Sequence, residues 1–331
     1  MFPDEPNIKL PNYLHKLDED IMLIGANKPL LKAFKETGNS YKKAAKEFGV
    51  HNTTIRCYLI GKTPYRIKFL KAFSRRYHSH VLDSVFDAVQ HYTTKTEKVK
   101  LPKYLTPKLA YYVGYLQGDG WLGKNKKRFG FIDEYSEQMK LINALTQDLF
   151  ETSGKIMEDK SKISTKPYNY LIIRRKAVNS FLHSVFEINL GIKNNLEIPK
   201  LIKQNKELLR WHLRGLFDAD GTLPKNPEKA KMLFIDIALK DKSFIEEIKK
   251  KLSEEFGIET LKIYARKSKS PSSGKENITW ELRIRSHKII KRFLEEIGFI
   301  HPNKSERTKK LLSLLINKKR TRSSVGRVPH S

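Results

Sequence analysis

Two stretches of sequence, LAYYVGYLQGDG (109–120) and LRWHLRGLFDADG (209–221), decide how this chain folds. Each is predicted to be a helix that ends in Asp-Gly, at Asp119 and at Asp220. The last turn of a helix carries a partial negative charge and normally attracts a basic residue, so an aspartate there is unfavourable. If the two ends converge, a bound cation resolves the conflict, and oxygen ligands of this kind indicate Mg²⁺.

A stripe of small residues on each helix predicts that the two helices pack side by side. Gly114 and Gly118 lie four positions apart in the first helix, and Gly215 and Ala219 do so in the second. Small residues at this spacing let two helix backbones approach closely. Glycines in the left-handed conformation are predicted to cap both helices. These cap residues are Gly120 and Gly221.

The same order of elements follows each stretch. A strand and a helix are predicted in FGFIDEYSEQMKLINAL (129–145), and a second strand and helix in YNYLIIRRKAVNSFLHSVF (168–186). The second pass repeats them in MLFIDIALKDKSFIEEIKKKL (232–252) and ITWELRIRSHKIIKRFLEEIGF (278–299). The two terminal aspartates lie 101 positions apart, which is room for one small αββαββ unit. We therefore predict an α+β fold of two pseudo-symmetric αββαββ halves.

The segments YVGYLQGDG (112–120) and LRGLFDADG (213–221) resemble the two motif copies of single-chain LAGLIDADG (dodecapeptide, DOD-type) homing endonucleases. The second copy is close, whereas the first has Gln117 where the motif has its first aspartate. The stretches 198–223 and 295–312 also resemble this family, so the resemblance covers about 200 residues.

The resemblance implies a DNA-binding saddle and Mg²⁺-dependent hydrolysis of phosphodiester bonds. It implies that Asp119 and Asp220, at the eighth motif position, hold the metal, with help from the backbone carbonyl groups of Gly118 and Ala219. The sixth position is not the metal carboxylate in this family. Gln117 is therefore compatible with activity.

Many members of the family also place a lysine near each metal, just after the first hairpin. Lys240 matches that position in the second half, and the resemblance assigns it a catalytic role. The first half has Glu134, Tyr135 or Glu137 there, depending on the alignment, so that equal cutting of both strands is in question. The alternative for Lys240 is an exposed lysine at a helix start.

Basic residues are predicted to line the DNA-facing side of the strands, because successive side chains of a strand point to opposite faces. Phosphate contacts from such groups would position the duplex, while a few contacts to base edges select the sequence. For any single residue the alternative is a solvated face. The predicted DNA-binding residues of the two halves are Lys124, Lys126, Arg128, Arg174, Arg175, Lys262, Arg266, Arg283 and Arg285.

The segment SYKKAAKEFGVHNTTIRCYLIG (40–61) resembles a helix-turn-helix. Ala45 takes the close helix contact, Gly49 the turn and Ile55 the core position. The second helix of such a module places its first side chains in the major groove. A helical bundle for protein contacts is the alternative. The predicted DNA-contacting residues of this module are Asn52, Thr53 and Arg56.

Five regions are predicted along the chain. Residues 1–63 form a small all-α domain, and residues 64–104 form a connector with one long amphipathic helix over 64–92 and a polar linker. The first half-domain occupies 105–200, the second occupies 201–312, and a basic tail occupies 313–331.

The composition limits the possible binding partners and the cellular compartment of the protein. The 331 residues include 65 Lys and Arg against 36 Asp and Glu, a net charge of +29 that suits nucleic acid first and an anionic membrane surface second. The single cysteine, Cys57, excludes an intrachain disulfide and a cysteine-based zinc site. No secretory signal and no apolar span of about 18 residues is found, so we expect a cytoplasmic, nucleoid-associated protein.

These observations together predict a site-specific double-strand DNA endonuclease that works as a monomer with Mg²⁺ and has no small-molecule substrate. The chain begins with Met1 and ends without His-Asn, which favours a free-standing or intron-encoded protein over an intein. The alternatives are a DNA-binding transcriptional regulator and an RNA-splicing maturase on the same scaffold. The two aspartates favour the enzyme, because a protein that only binds gains nothing from two acids that face phosphates.

Overall fold

The computed structural model of the chain describes residues 2–77, 80–95, 97–159, 167–269 and 276–324. The amino-terminal part contains β1 (Ile8–Lys9), β2 (Met22–Ile24), α1 (Asn27–Glu36), α2 (Tyr41–Phe48), α3 (Asn52–Leu59), β3 (Tyr65–Arg66), α4 (Ile67–Tyr77), α5 (Val81–Ala88), β4 (His91–Thr93) and β5 (Tyr104–Leu105).

The predicted helix-turn-helix geometry is confirmed. Helix α2 begins after Ser40, whose hydroxyl accepts a hydrogen bond from the Lys43 backbone N–H, and it ends at Gly49 with φ +61°. That left-handed conformation carries little cost for glycine and lets α3 turn back across α2. Ala45 and Ile55 are buried between the helices, as their positions in the motif predict.

The amino-terminal part differs from the prediction in two ways. A three-stranded antiparallel sheet of order β3-β2-β4 joins the predicted all-α domain to the predicted connector. Strands of two or three residues are too short to show alternation, so the sequence pattern could not reveal them. The predicted single helix over 64–92 is also wrong. The chain forms α4 and α5, which contact each other, so both apolar faces close around one core.

The rest of the chain contains two similar sets of elements. The first half consists of α6 (Pro107–Asp119), β6 (Gly120–Leu122), β7 (Phe129–Asp133), α7 (Ser136–Phe150), β8 (Lys155–Asp159), β9 (Tyr168–Ile173) and α8 (Lys176–Phe186). The second half consists of α9 (Lys200–Lys203), α10 (Lys206–Asp220), β10 (Gly221–Thr222), β11 (Ile235–Leu239), α11 (Lys242–Phe256), β12 (Tyr264–Lys269), β13 (Glu276–Ile284) and α12 (His287–Glu296). Helix α13 (Pro302–Ser324) follows.

The two antiparallel sheets have equivalent strand orders, β6-β7-β9-β8 and β10-β11-β13-β12. In each sheet one face packs against helices, α6 and α7 in the first half and α10 and α11 in the second. The apolar residues on that face are fully buried, for example Phe131 and Leu171 in the first half and Ile237 and Leu282 in the second. The predicted α+β fold of two pseudo-symmetric halves is confirmed.

Helices α6 and α10 pack backbone against backbone at the centre of the molecule. A Cβ atom built on Gly114 would lie 2.0 Å from the carbonyl oxygen of His212, and one on Gly215 would lie 2.2 Å from that of Tyr111. Only glycine allows contacts this close. The predicted role of the small-residue stripes is confirmed.

The end of the described chain is helical. Helix α13 crosses the predicted start of the basic tail at residue 313 without a break, and Leu311 and Leu315 are buried. Residues 325–331 of the predicted tail, including Arg327, lie outside the described residues. None of the helices in the described part of the chain has the length and apolar character that crossing a membrane requires.

Candidate active site

The two central helices end in the acids that the sequence singles out. Asp119 is the last residue of α6 and Asp220 the last residue of α10. The prediction that Gly120 and Gly221 are left-handed is wrong, because their φ angles are −92° and −73°. Each helix runs directly into a strand, and a Cβ would lie 2.8 or 2.4 Å from the carbonyl oxygen four residues earlier. Close approach, rather than a positive φ, requires glycine here.

Two half-buried lysines contact the carbonyl ends of these helices. Lys193 Nζ donates hydrogen bonds to the carbonyl oxygens of Gln117, at 2.9 Å, and of Gly118. Lys304 Nζ donates to three carbonyl oxygens in the last turn of α10, at 2.6, 2.9 and 3.1 Å. The Gly118 and Ala219 carbonyl groups, predicted to assist a metal, thus bind ammonium groups of the chain itself. The cation that balances each helix end is a lysine.

The two aspartates and the two lysines shift one another's pKa values. Burial, together with the nearby charges of Asp220 and Asp133, raises the pKa of Asp119 to about 7. Burial also raises the pKa of Asp220, while Lys193 and Lys304 oppose that shift. Burial lowers the pKa of both lysines, and the aspartates oppose this. The site therefore concentrates two carboxyl groups and two ammonium groups.

Asp119 and Asp220 line one cavity of about 730 Å³. In the residues that the structure describes, no cluster of three His, Cys, Asp or Glu side chains could hold a metal ion alone. Two carboxylates that open into a polar cavity still fit Mg²⁺, which takes one or two protein carboxylates and completes its coordination with water and substrate phosphate. The other lining residues are Ile132, Asp133, Glu134, Tyr135, Tyr168, Ala219, Gly221, Thr222, Lys225, His301, Asn303, Lys304, Glu306, Arg307 and Lys310.

Crossed hydrogen bonds connect the two central helices. The Tyr111 hydroxyl of α6 donates to Asp218 Oδ2 of α10 at 2.8 Å. At the equivalent positions, His212 Nε2 of α10 lies 2.6 Å from Gln117 Oε1 of α6, close enough to donate a hydrogen bond. The departure from the family motif at Gln117 thus comes with a matching partner on the other helix.

Asp218 also organises the segment that carries Lys304. Its Oδ2 atom accepts hydrogen bonds from the backbone N–H groups of Ile300, at 3.1 Å, and His301, at 3.0 Å. The His301 ring reaches across to Asp133 of the first half, at 3.3 Å. This network ties the start of α13 to both halves.

The structure places Lys240 away from this constellation. It is exposed on the bend after β11, next to Asp241, the residue that caps α11, and it does not line the cavity. Lys193 and Lys304 were not among the site residues predicted from the sequence. The available signal was their position: Lys193 comes seven residues after the end of α8, and Lys304 eight residues after the end of α12.

Three of the predicted DNA-binding residues are engaged in ion pairs within the chain. Lys126 Nζ lies 2.7 Å from Asp18, Arg175 pairs with Glu97, and Arg283 pairs with Asp236 and Glu281. In the helix-turn-helix, Thr53 and Arg56 are exposed and Asn52 is half-buried. The other predicted residues of the two halves are exposed, namely Lys124, Arg128, Arg174, Lys262, Arg266 and Arg285.

The fold and the site define a class of protein: a pseudo-symmetric α+β pair whose two central helices end in acids that share one cavity. The family model for a LAGLIDADG-like domain matches residues 207–298, which contain α10 and most of the second half. The chain therefore carries a LAGLIDADG-like domain, and the first half repeats its order of elements and strands. The resemblance that the motifs indicate is confirmed.

The chain is similar to parts of larger proteins. It is 28% identical over 327 residues to a glutamine–fructose-6-phosphate aminotransferase of Methanocaldococcus jannaschii, an alignment that covers 94% of this chain and 27% of the aminotransferase. It is also 28% identical over 279 residues to the replication factor C small subunit of the same organism, with 78% and 14% covered. The chain thus spans about a quarter or less of these relatives.

The chain is also similar to solved structures. Full-length DUF199/WhiA from Thermatoga maritima is 18% identical with a TM-score of 0.42, and the match covers 62% of this chain and 60% of that chain. Mesophilic variants of the homing endonuclease I-DmoI are 20% identical with a TM-score of 0.39, with 58% and 95% covered.

Proposed function

We propose that the protein is a site-specific double-strand DNA endonuclease that acts as a monomer with Mg²⁺. The observation that carries this proposal is the cavity in which Asp119 and Asp220, each at the end of a central helix, meet between two sheets. Both halves of the site lie on one chain, so a second copy is not required. DNA as the substrate would place the protein with the nucleoid.

Asp119 and Asp220 would hold the metal. Bound there, Mg²⁺ supplies a Lewis acid that polarises the phosphate and activates water for attack on phosphorus. Lys193 and Lys304 fix the two helix ends through their carbonyl contacts, and their charges offset the repulsion between the two acids. The lysines thus keep both carboxyl groups at one place, ready for the substrate.

The duplex would lie across the two sheets, with the exposed basic residues on its phosphates. The exposed Arg56 in the helix-turn-helix extends this basic surface beyond the two halves. The net charge of +29 favours a polyanion such as DNA. Binding should fall steeply with salt, with a log–log slope of about −0.9 per phosphate neutralised. A binding affinity that does not change with salt concentration would contradict nucleic acid as the ligand.

A cleavage selection tests the proposal. The protein and its Asp119→Asn, Asp220→Asn double variant are incubated separately with a random-sequence duplex library and Mg²⁺, and the cut ends are sequenced. A long recurring site that only the wild type cuts is the expected result. Equal cutting by both proteins would contradict the assignment of the acids.

One observation favours a second candidate, a DNA-binding regulator without nuclease activity. The ammonium groups of Lys193 and Lys304 already balance the negative charge of the two acids and the helix ends, so the two ends can lie side by side without a metal. This candidate predicts that both proteins in the selection enrich the same uncut sequence.

The alignments cover only a part of each larger relative. The two relatives carry unrelated names, and the segment similar to this chain is a minor part of each. We therefore propose neither aminotransferase nor replication-factor activity for this chain.

A further inference from the structure

The outward faces of the two sheets, which point away from the covering helices, differ in chemistry. The strand register makes them directly comparable, because Gly120 pairs with Phe131 in the first sheet as Gly221 pairs with Ile237 in the second. Phe131 and Ile237 point into the core, so their neighbours along the strand point outward. The residues of the two faces can therefore be matched row by row.

The outward face of the first sheet is mainly apolar and aromatic. Met157 is 37% exposed, and the other large apolar side chains of this face are half-buried. Only two of its residues carry a charge. In cross-strand rows, the face consists of Trp121, Gly130, Ile172 and Lys155, then Ile132, Tyr170 and Met157, then Tyr168 and Asp159.

The outward face of the second sheet is polar. Arg283 pairs with Asp236 and Glu281 at its centre, so that charged groups are held in fixed positions. Tyr264 is 54% exposed, and Arg266 is exposed beside it on β12. The matching rows are Thr222, Asp236 and Arg283, then Ala238, Glu281 and Tyr264, then Thr279 and Arg266.

The two faces suit different features of the major groove. Arginine, carboxylate and hydroxyl groups hydrogen-bond with base edges, whereas aliphatic side chains cannot. The one apolar feature that the major groove offers is the C5-methyl group of thymine. A face built from Ile132, Ile172 and Met157 therefore distinguishes thymine from the other bases, and does so through the methyl group.

We propose that the target duplex is chemically asymmetric: the half-site on the first sheet is rich in thymine and is recognised through its C5-methyl groups, while the half-site on the second sheet is read by hydrogen bonds. This inference rests on the proposed function and names the substrate more closely. Exposed Arg128 and Arg174 at the strand ends supply the positive charge that a duplex on this face requires.

Stacking of unpaired bases is the other use of an aromatic face. The largest ring of the first sheet is poorly placed for it. The Trp121 indole packs over Gly130, where an added Cβ would lie 3.0 Å from the ring, and it lies under the Arg128 guanidinium at 5.7 Å from the ring centroid. These contacts favour a duplex over a single strand on this face.

Replacement of thymine by uracil tests the inference, because it removes the methyl group and keeps base pairing. Duplexes bound by the wild type are first recovered from a random library, and a parallel recovery with Arg266→Ala shows which half of the site lies on the second sheet. The recovered duplex is then synthesised with uracil in one half-site at a time, and its affinity is measured. Uracil in the first half-site should weaken binding roughly fourfold for each methyl group in contact, and uracil in the second should leave it unchanged.

The matched variants Met157→Ala and Tyr264→Ala change equivalent positions of the two faces. Met157→Ala should reduce the sensitivity to uracil in the first half-site, whereas Tyr264→Ala should preserve it. A first half-site without thymine enrichment, or equal affinity for thymine and uracil duplexes, would overturn the inference alone. Tighter binding of single strands would overturn it in favour of stacking. Failure to bind any duplex would contradict the proposed function as well.

Discussion

The two central helices carry the same pattern of crossed hydrogen bonds with different residues. On one side Tyr111 pairs with Asp218, and on the other side His212 pairs with Gln117. Asp218 accepts two further backbone hydrogen bonds from the segment before Lys304, whereas the Gln117 amide donates to the carbonyl oxygen of Glu197. Pseudo-symmetry therefore conserves the positions of the contacts and leaves their chemistry free to diverge.

The difference has an energetic consequence. Asp218 is a fully buried carboxyl group that accepts from three donors, so its loss leaves all three donors without this acceptor. Gln117 connects two groups, and one of them is a neutral ring. The second helix end should therefore tolerate change less than the first.

The largest expected effect is that of Asp218→Ala. We expect a loss of about 3–5 kcal/mol in the free energy of unfolding, because the variant removes the common acceptor of a buried network. Gln117→Ala should cost about 1–3 kcal/mol. Urea denaturation of the two variants measures both values, and equal losses would contradict the asymmetry.

A pH titration sharpens the comparison at His212. Burial lowers the pKa of this ring from 6.5 to about 3, so the unfolded chain takes up a proton well before the folded protein does. The resulting stability is complete above pH 6.5 and is lost as the pH falls towards 3. At pH 4.5 the cost relative to pH 7 is about 3 kcal/mol.

The control for this titration is His212→Gln, whose side-chain amide can still donate to Gln117. Other groups titrate in both proteins, so the difference between their unfolding free energies isolates His212. A difference that does not change between pH 7 and pH 4.5 would show that His212 is not a buried neutral ring.

A smaller effect than that of Asp218→Ala is expected of Tyr111→Phe. The hydroxyl group donates to a carboxyl group, so its removal should cost about 1.5–3 kcal/mol, towards the lower end because the ring stays in place. In a double-mutant cycle with Asp218→Asn, the two losses should not add, since the residues are in contact. Strictly additive losses would show that Tyr111 and Asp218 do not interact.

Much of the fold follows from local patterns. Alternation and helical periodicity over 129–145 and 232–252 predict the strands and helices that the structure contains, because both patterns arise within a single element. The break between α4 and α5 depends on packing across the amino-terminal domain, which no local pattern records.

The site was predictable only in part, for the same reason. Asp119 and Asp220 stand out because an acid at a helix end conflicts with the helix dipole. Lys193 lies in the loop after α8 and Lys304 in the first turn of α13, 75 and 85 residues from the carbonyl groups of Gly118 and Ala219. The pairing of Gln117 with His212 likewise spans 95 residues. Only the packing of α6 against α10 brings these groups together.

The most direct test of the acid pair as a cleavage site compares Asp220→Asn with Glu306→Gln. Both residues line the same cavity, but Glu306 is exposed on α13 and pairs with Lys310. Cleavage and binding of the duplex recovered in the selection are measured for each variant in Mg²⁺. We expect Asp220→Asn to bind the duplex at least as tightly as the wild type and to cut it no longer, while Glu306→Gln cuts normally. Undiminished cleavage by Asp220→Asn would show that the acid pair is not the cleavage site.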